Sequence, residues 1–169
     1  MAEYNQLMNQ HLFAAASTLP NEILLEDRGA FFKSIMATMS HIMVGDIFWL
    51  KRFALQLTSY TSLKLLEQIE KPTSLEVILF NDMATFTQER AKLDQLIIDF
   101  CHELTERDID ASLVYSNYKQ ETHRKKLGSL ILHIFFHQTH HRGQITTLLS
   151  QLNIEFGETD LPEIVSELD

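Results

Sequence analysis

The sequence contains very little cysteine, glycine or proline. Cys101 is the only cysteine in 169 residues, which excludes a disulfide within the chain. Five glycines and three prolines leave few turn residues for a sheet of many short strands, so the composition favours long helices. At this length we expect one domain, with a core large enough to be stable without a disulfide or a structural metal.

Long apolar runs and basic residues are also scarce. No segment approaches the ~20 consecutive apolar residues that span a bilayer, so no membrane span is expected. The first residues lack the basic and apolar regions of a secretory leader, and we therefore expect a cytoplasmic protein. Fourteen Lys and Arg against 23 Asp and Glu give a formal net charge of −9. This balance argues against nucleic acid as a partner, because phosphate binding needs clustered basic residues.

Apolar residues recur every three or four positions in four segments, which is the spacing of amphipathic helices. These segments are residues 4–18, 31–57, 82–104 and 127–152. We predict short helical or irregular connectors at 64–69 and 74–80. Residues 112–126 alternate weakly and fit either a small hairpin or an extended crossover, of which we favour the crossover. The sequence thus predicts an all-α four-helix bundle with a long crossover connection.

The last residues differ in composition from the rest. Residues 154–169 contain six Asp and Glu and no Lys or Arg. We assign residues 1–153 to the bundle and residues 154–169 to an acidic C-terminal tail. A solvated terminus is favoured over an interaction tail, because charged chain ends are usually hydrated.

Histidines cluster in the fourth predicted helix, which contains four of the eight in the chain. His133 and His137, and likewise His137 and His141, are four residues apart, so their side chains are adjacent on a helix and two imidazoles can bind one ion. A rotation of ~100° per residue places His137 and His141 closer to the apolar face than His133 and His140. We predict His137 and His141 as a metal-ligand pair, with hydrogen-bonded core histidines as the alternative.

A catalytic zinc site takes three protein ligands and leaves one position open, so a third ligand is required from elsewhere. His41, in the middle of the second predicted helix, is the best candidate because small residues beside it leave space. Helical periodicity alone does not decide whether His41 is a ligand, because its side chain points away from the strongest apolar stripe of the helix. The small residues are Ser34, Ala37, Thr38 and Gly45.

Two motifs resemble those of the DinB family (DinB/YfiT-like proteins). Residues 132–144 read LHIFFHQTHHRGQ, in which two histidines four apart precede Arg-Gly-Gln, and residues 41–52 read HIMVGDIFWLKR, with His, Asp, Trp and Arg in the expected order. The resemblance extends over nearly the whole chain except the acidic tail. It implies a DinB-like four-helix bundle whose metal ligands are His41, His137 and His141, and it also implies a homodimer.

The resemblance also indicates a reaction class, because relatives of this fold include transferases that act on low-molecular-weight thiols and a thiol-dependent isomerase. We therefore expect a metal-dependent enzyme that activates a thiol, with a small-molecule substrate. A hydrolase using metal-activated water is the second interpretation. A non-catalytic metal-binding or interaction protein is the third. Zinc or nickel is expected, while iron and copper stay open because three imidazoles suit all four metals.

No residue is identified as catalytic from the sequence. Asp46, five residues after His41, is the nearest acidic candidate for a general base, but it could equally cap the helix, pair with Arg52 or orient a ligand imidazole, and we favour a structural role. Gly143 in a helix predicts close helix packing or an interface. We expect His133, His140 and Gln144 to be either outer partners of the site or exposed side chains. We expect Phe48 and Trp49 to make core or subunit contacts, and Cys101 to be a small buried apolar residue.

Overall fold

The computed structural model describes residues 1–117 and 119–164. Four long helices dominate, and the predicted all-α bundle is confirmed. In chain order the elements are α1 (Ala2–Ala16), α2 (Asn21–Leu25), α3 (Ile35–Ala54), α4 (Thr61–Lys64) with a 3₁₀ turn (Leu65–Gln68), α5 (Met83–Glu103), α6 (Glu106–Asp110), β1 (Ser112–Ser116), β2 (Thr122–Lys126), α7 (Leu127–Gln151) and α8 (Leu161–Ile164).

Helix α3 begins later than its apolar pattern predicts. Ser34 caps the helix, its side-chain oxygen accepting a hydrogen bond from the Ala37 backbone N–H at 3.1 Å. Immediately before the cap, Gly29 and Lys33 adopt φ angles of 73° and 71°, which turn the chain out of helical geometry. The predicted start at residue 31 is therefore wrong, and Phe32 lies in a turn outside the helix.

Helices α3 and α5 lie side by side and run in the same direction. Asp46 of α3 contacts Arg90 of α5, and Phe53, further along α3, contacts Phe100, further along α5. Parallel neighbours cannot be joined by a short turn, so residues 55–82 must return along the length of the bundle.

The contacts of residues 55–82 follow that return path. Lys51 Nζ, near the end of α3, donates to the Leu66 carbonyl oxygen at 2.8 Å, whereas Leu79 N–H donates to Ser40 Oγ, near its start, at 3.3 Å. The long crossover connection thus precedes α5 and is not the connection that follows it.

Residues 112–126, which we favoured as a crossover, form an antiparallel hairpin, so that interpretation is wrong. The register pairs Ser112 with Lys126 and Ser116 with Thr122. Leu113 is buried and Tyr115 half-buried, whereas Ser112, Val114 and Ser116 are exposed. The weak alternation in the sequence was therefore a real strand pattern, with alternate side chains facing the bundle. Tyr118 of the intervening loop falls outside the described residues.

The first part of the acidic tail lies on the bundle surface. Ile154 and Phe156 pack partly buried against the core, and the Tyr4 hydroxyl donates to the Thr159 carbonyl oxygen at 2.7 Å. These residues are less solvated than predicted, while residues 165–169 fall outside the described part and the boundary at residue 153 stays a prediction. No described helix has both the length and the apolarity needed to cross a membrane.

Candidate metal centre

The three histidines predicted as ligands lie together between α3 and α7. Their ring centroids are 4.5 to 4.9 Å apart, and one ligand nitrogen from each ring lies within 4.8 Å of the others. His41 Nε2 and His137 Nε2 are separated by 3.0 Å. Two nitrogens bound at ~2.0–2.1 Å to one tetrahedral ion lie about 3.3 Å apart, so this separation suits a shared ion. His41, His137 and His141 could therefore hold a metal ion.

Two of the rings have their tautomer determined by a hydrogen bond. His41 Nδ1 lies 2.8 Å from the Leu75 carbonyl oxygen, and His141 Nδ1 lies 2.8 Å from Gln144 Oε1. Each oxygen can only accept, so each Nδ1 must carry the proton. The Nε2 lone pairs of His41 and His141 are thereby left free for a ligand bond. Gln144 acts as an outer partner of the site, one of the alternatives predicted for it.

Burial keeps the site imidazoles neutral. Burial, together with the neighbouring histidines, His141 first, lowers the pKa of His137 to about 3. Burial also lowers the pKa of His41 and of His141, although the hydrogen bonds with Leu75 and Gln144 partly oppose it. A metal binds the neutral imidazole, so at neutral pH the ligands need not lose a proton before binding.

Gly45 allows the two helices to approach at the site. A Cβ atom at this position would lie 2.7 Å from Cε1 of His137, which is too close for a real contact. The His137 ring therefore lies directly on the α3 backbone. Of the small residues predicted to leave space beside His41, Gly45 is the one that leaves room for a ligand, the His137 ring. Ser34 instead caps the helix.

We expect Gly45→Ala to lower metal affinity at least about 10-fold, because the His137 ring must move away from the other two ligands. Equilibrium titration with zinc against a chelating dye measures this. Gly143→Ala is the matched control, since the position is exposed and nothing lies within 4 Å of an added Cβ. That variant should bind zinc normally and gain about 1 kcal/mol of stability. Equal affinities for the two variants would contradict the role of Gly45.

Phe32 and the Leu75 carbonyl belong to the site although the sequence did not indicate them. The Phe32 ring stacks on His41 with centroids 3.8 Å apart and planes at 21°, and it contacts His141 at 5.5 Å. The apolar pattern placed Phe32 on a helix, and only the turn before Ser34 brings it here. A backbone carbonyl such as that of Leu75 has no sequence signal.

Behind the histidines lies a buried polar network centred on Arg90. Its guanidinium forms ion pairs with Asp46 of α3 and Asp94 of α5, and all three side chains are at most 3% exposed. Burial raises the pKa of Asp46 to about 6, although Arg90 opposes the shift. The favoured structural role of Asp46 is thus confirmed, and its ion pair is with Arg90 and not with Arg52.

The same network holds α7 in its rotational position. Gln138 Oε1 accepts from Arg90 Nη2 at 3.1 Å and from Asn5 Nδ2 at 2.6 Å, and Arg142 donates to Asn5 Oδ1. Gln138 and Arg142 directly follow His137 and His141 in the chain. Fixing these buried neighbours therefore fixes the direction in which the histidines project.

The remaining histidines of α7 are exposed and outside the three-residue cluster. The His133 ring is 5.8 Å from that of His137, and His140 contacts both Gln144 and the His141 ring. Cys101 is half-buried, and burial raises the pKa of its thiol, which keeps it protonated and unreactive at neutral pH. Phe48 and Trp49 are half-buried beside a cleft, Trp49 packs against the core as expected, and a subunit contact of either residue stays a prediction.

An open cleft of about 1270 Å³ leads from the histidines toward the hairpin. His41 and His137 line one part of it, next to the place where a shared ion would lie. The other lining residues include His133, Trp49, Arg52 and Tyr115. A small molecule in the cleft can therefore reach two of the three ligand histidines.

Comparisons with known proteins identify a family and a relative to which this chain is similar. The family model described as DinB family matches residues 1–165. "Protein DinB" of Bacillus subtilis (strain 168) is 28% identical over 159 residues, which cover 94% of this chain and 87% of that protein. No solved structure matches the chain.

Proposed function

The chain belongs to the DinB family, and from this membership and its three-histidine cluster we propose that it is a metal-dependent enzyme that activates a thiol for transfer to an electrophilic substrate. One observation carries the proposal: three buried or half-buried imidazoles, all with lowered pKa values, meet beside an open cleft. Three protein ligands and one open position are the arrangement of catalytic sites.

The residues around the cluster suit a divalent cation, zinc or nickel first. Neutral imidazoles leave the ion its full charge, and a bound ion would supply Lewis acidity that lowers the pKa of a thiol or water beside it. Phe32 covers His41 on one side, and the Leu75 carbonyl and Gln144 hold two rings in position. Because these contacts occupy other sides of the cluster, an incoming ligand would approach it from the cleft.

Hydrolysis by activated water is the second candidate, and the cleft lining favours the thiol. Attack by water commonly needs a general base, whereas a thiol is acidic enough to ionise without one. Among the described residues that line the cleft, Glu67 is the only carboxylate, and neither a hydrogen bond nor an ion pair joins it to the three histidines; Glu76, whose charge acts on His41, is not part of that lining. The thiol reaction therefore fits these residues better, because it does not depend on a general base.

The test combines zinc-loaded or nickel-loaded protein with a panel of low-molecular-weight thiols and the electrophile monobromobimane. We expect metal-dependent conjugate formation that disappears in His141→Ala while circular dichroism shows retained helicity. His102→Ala, an exposed position on α5, is the matched control and should remain active. Ester hydrolysis without a thiol would favour the hydrolase. Absence of both activities with metal bound would favour a non-catalytic protein.

Homodimerisation stays a prediction. Leu132 and Phe136, one turn apart on α7, are 50% and 66% exposed. Gly143 lies on the same helix with nothing within 4 Å of an added Cβ, so its predicted role in helix packing within the chain is wrong. The other predicted role, at an interface, therefore depends on a second copy of the chain.

A further inference from the structure

Arg52 is a half-buried cation whose hydrogen-bonding groups have no partner in the described part of the chain. No carboxylate oxygen there lies within 4.0 Å of its guanidinium, and no protein group accepts a hydrogen bond from it. Every other buried or half-buried cation among the described residues has a hydrogen-bond partner: Lys51 donates to the Leu66 carbonyl oxygen, for example, and Arg90 is paired with two aspartates. In a chain of net charge −9, an Arg left without an acidic partner requires an explanation.

Two aromatic rings hold Arg52 in place. Its guanidinium carbon lies 4.6 Å from the ring centroid of Trp49 and 5.4 Å from that of Tyr115. These cation–π contacts hold the guanidinium beside the two rings, and no described oxygen accepts a hydrogen bond from its N–H donors, which stay available to a ligand. A planar row of N–H donors is the group best suited to bind a carboxylate or a phosphate with two hydrogen bonds.

The charge of the cleft has the opposite sign to that of the whole chain. Its described lining contains one acidic residue, Glu67, against four basic ones, which are Lys51, Arg52, Lys64 and Lys71. A cleft with this excess of positive charge attracts anionic small molecules. The histidine cluster opens onto the same cleft through His41 and His137.

We propose that Arg52 binds an oxyanion group, a carboxylate or a phosphate, at one end of a substrate whose other end reaches the three histidines. This inference rests on the proposed function for the reacting end of the substrate. Gly45 lies beneath His137, and Arg52 follows it seven residues later on α3, which places the two sites about 10 Å apart along the helix. The substrate is thus an extended anionic molecule and not a minimal thiol.

Trp49 provides a direct readout because it is the only tryptophan of the chain and lies beside Arg52. Zinc-loaded protein is titrated with octanoate, octanamide and octyl phosphate while tryptophan fluorescence is followed, and calorimetry supplies the same affinities independently. We expect octanoate or octyl phosphate to bind about 10-fold or more tightly than octanamide, because a hydrogen-bonded charge pair is lost with the amide. The stronger of the two anions identifies the oxyanion.

Arg52→Gln should remove this preference, and Arg52→Lys should restore part of it, because the charge returns without the planar donors. Lys71→Gln is the matched control: it removes a cation from the same cleft lining, at an exposed residue 5.7 Å from the Phe48 ring. It should reduce the preference for the anions much less than Arg52→Gln does, because Lys71 adds only to the general positive charge of the cleft. Zinc content and helicity are measured for every variant.

Three results would overturn the proposal: equal binding of the anions and the amide, a preference that persists in Arg52→Gln, or an equal loss in Lys71→Gln. Octanoate has no thiol, so this outcome is independent of the reaction. Adding 8-mercaptooctanoate to cobalt-loaded protein then tests whether the thiol end of the substrate reaches the three histidines. A thiol bound to cobalt is detected by its charge-transfer absorption. Octanoate binding that needs Arg52, without that absorption, would support the anion site and contradict thiol activation.

Discussion

Replacing His137 by alanine is expected to abolish the stabilisation of the protein by added zinc or nickel. The ring centroids of His41, His137 and His141 form a triangle with sides of 4.9, 4.6 and 4.5 Å, so loss of the His137 ring removes one of three ligands that face a common point. The affinity should fall by more than the roughly 10- to 100-fold that loss of an outer partner costs.

Thermal unfolding with and without metal measures the effect. A ligand at 1,000 times its Kd stabilises the folded state by about 4 kcal/mol. For a chain of this size that corresponds to a rise in Tm of roughly 8–16 °C in the wild type, and to little or none in His137→Ala. His133→Ala, one turn earlier on α7 and outside the cluster, is the control and should keep the rise. An unchanged metal response of His137→Ala would refute the three-histidine centre.

Replacing Arg90 by methionine is expected to cost about 3–5 kcal/mol of folding free energy, the usual loss when one partner of a buried ion pair is removed. Asp46 and Asp94 would remain inside the bundle without their guanidinium, in a region where all three side chains are nearly inaccessible to water. Urea unfolding of metal-free protein gives the free energy. The metal affinity should also fall, because the network determines the rotation of α3 and α7.

Lys92→Met is the control for that substitution. Lys92 lies two residues later on α5 and forms an exposed pair with Glu89 at 2.7 Å, which contributes at most about 1 kcal/mol. The deficit of Arg90→Met should shrink as the pH falls towards about 6, the pKa of Asp46 beside Arg90, and level off below it, because without Arg90 the carboxyl binds its proton at a higher pH and then needs no cation. A loss below 1 kcal/mol at neutral pH would show that the network does not stabilise the bundle.

The site was only partly predictable, and its residues show why. His137 and His141 are four residues apart on one helix, so local periodicity was enough to pair them. His41 is 96 positions from His137 in the chain, and periodicity left it undecided until the resemblance to the DinB family supported it. Phe32 could not be placed, because the turn that brings it onto His41 depends on two residues with positive φ angles.

The fold shows the same division. Helix spacing predicted the four long helices within a few residues, since amphipathic periodicity is a local property. The position of the crossover was not predictable, because α3 and α5 are parallel only as a result of contacts such as Asp46 with Arg90. The hairpin at residues 112–126 was missed because its strands are stabilised by each other and by the packing of Tyr115 on Trp49, 5.0 Å away.

The sequence by itself determined the helical class, the histidine pair on α7 and the acidic balance of the chain, because each depends on composition or on residues within a few turns of each other. The packing of the helices was needed to show that His41 meets that pair, that Gly45 makes room for His137, and that Arg52 lines a cleft with no acidic partner among the described residues. Those relations join residues distant in the chain, and they exist only once helices pack in one particular rotation and order.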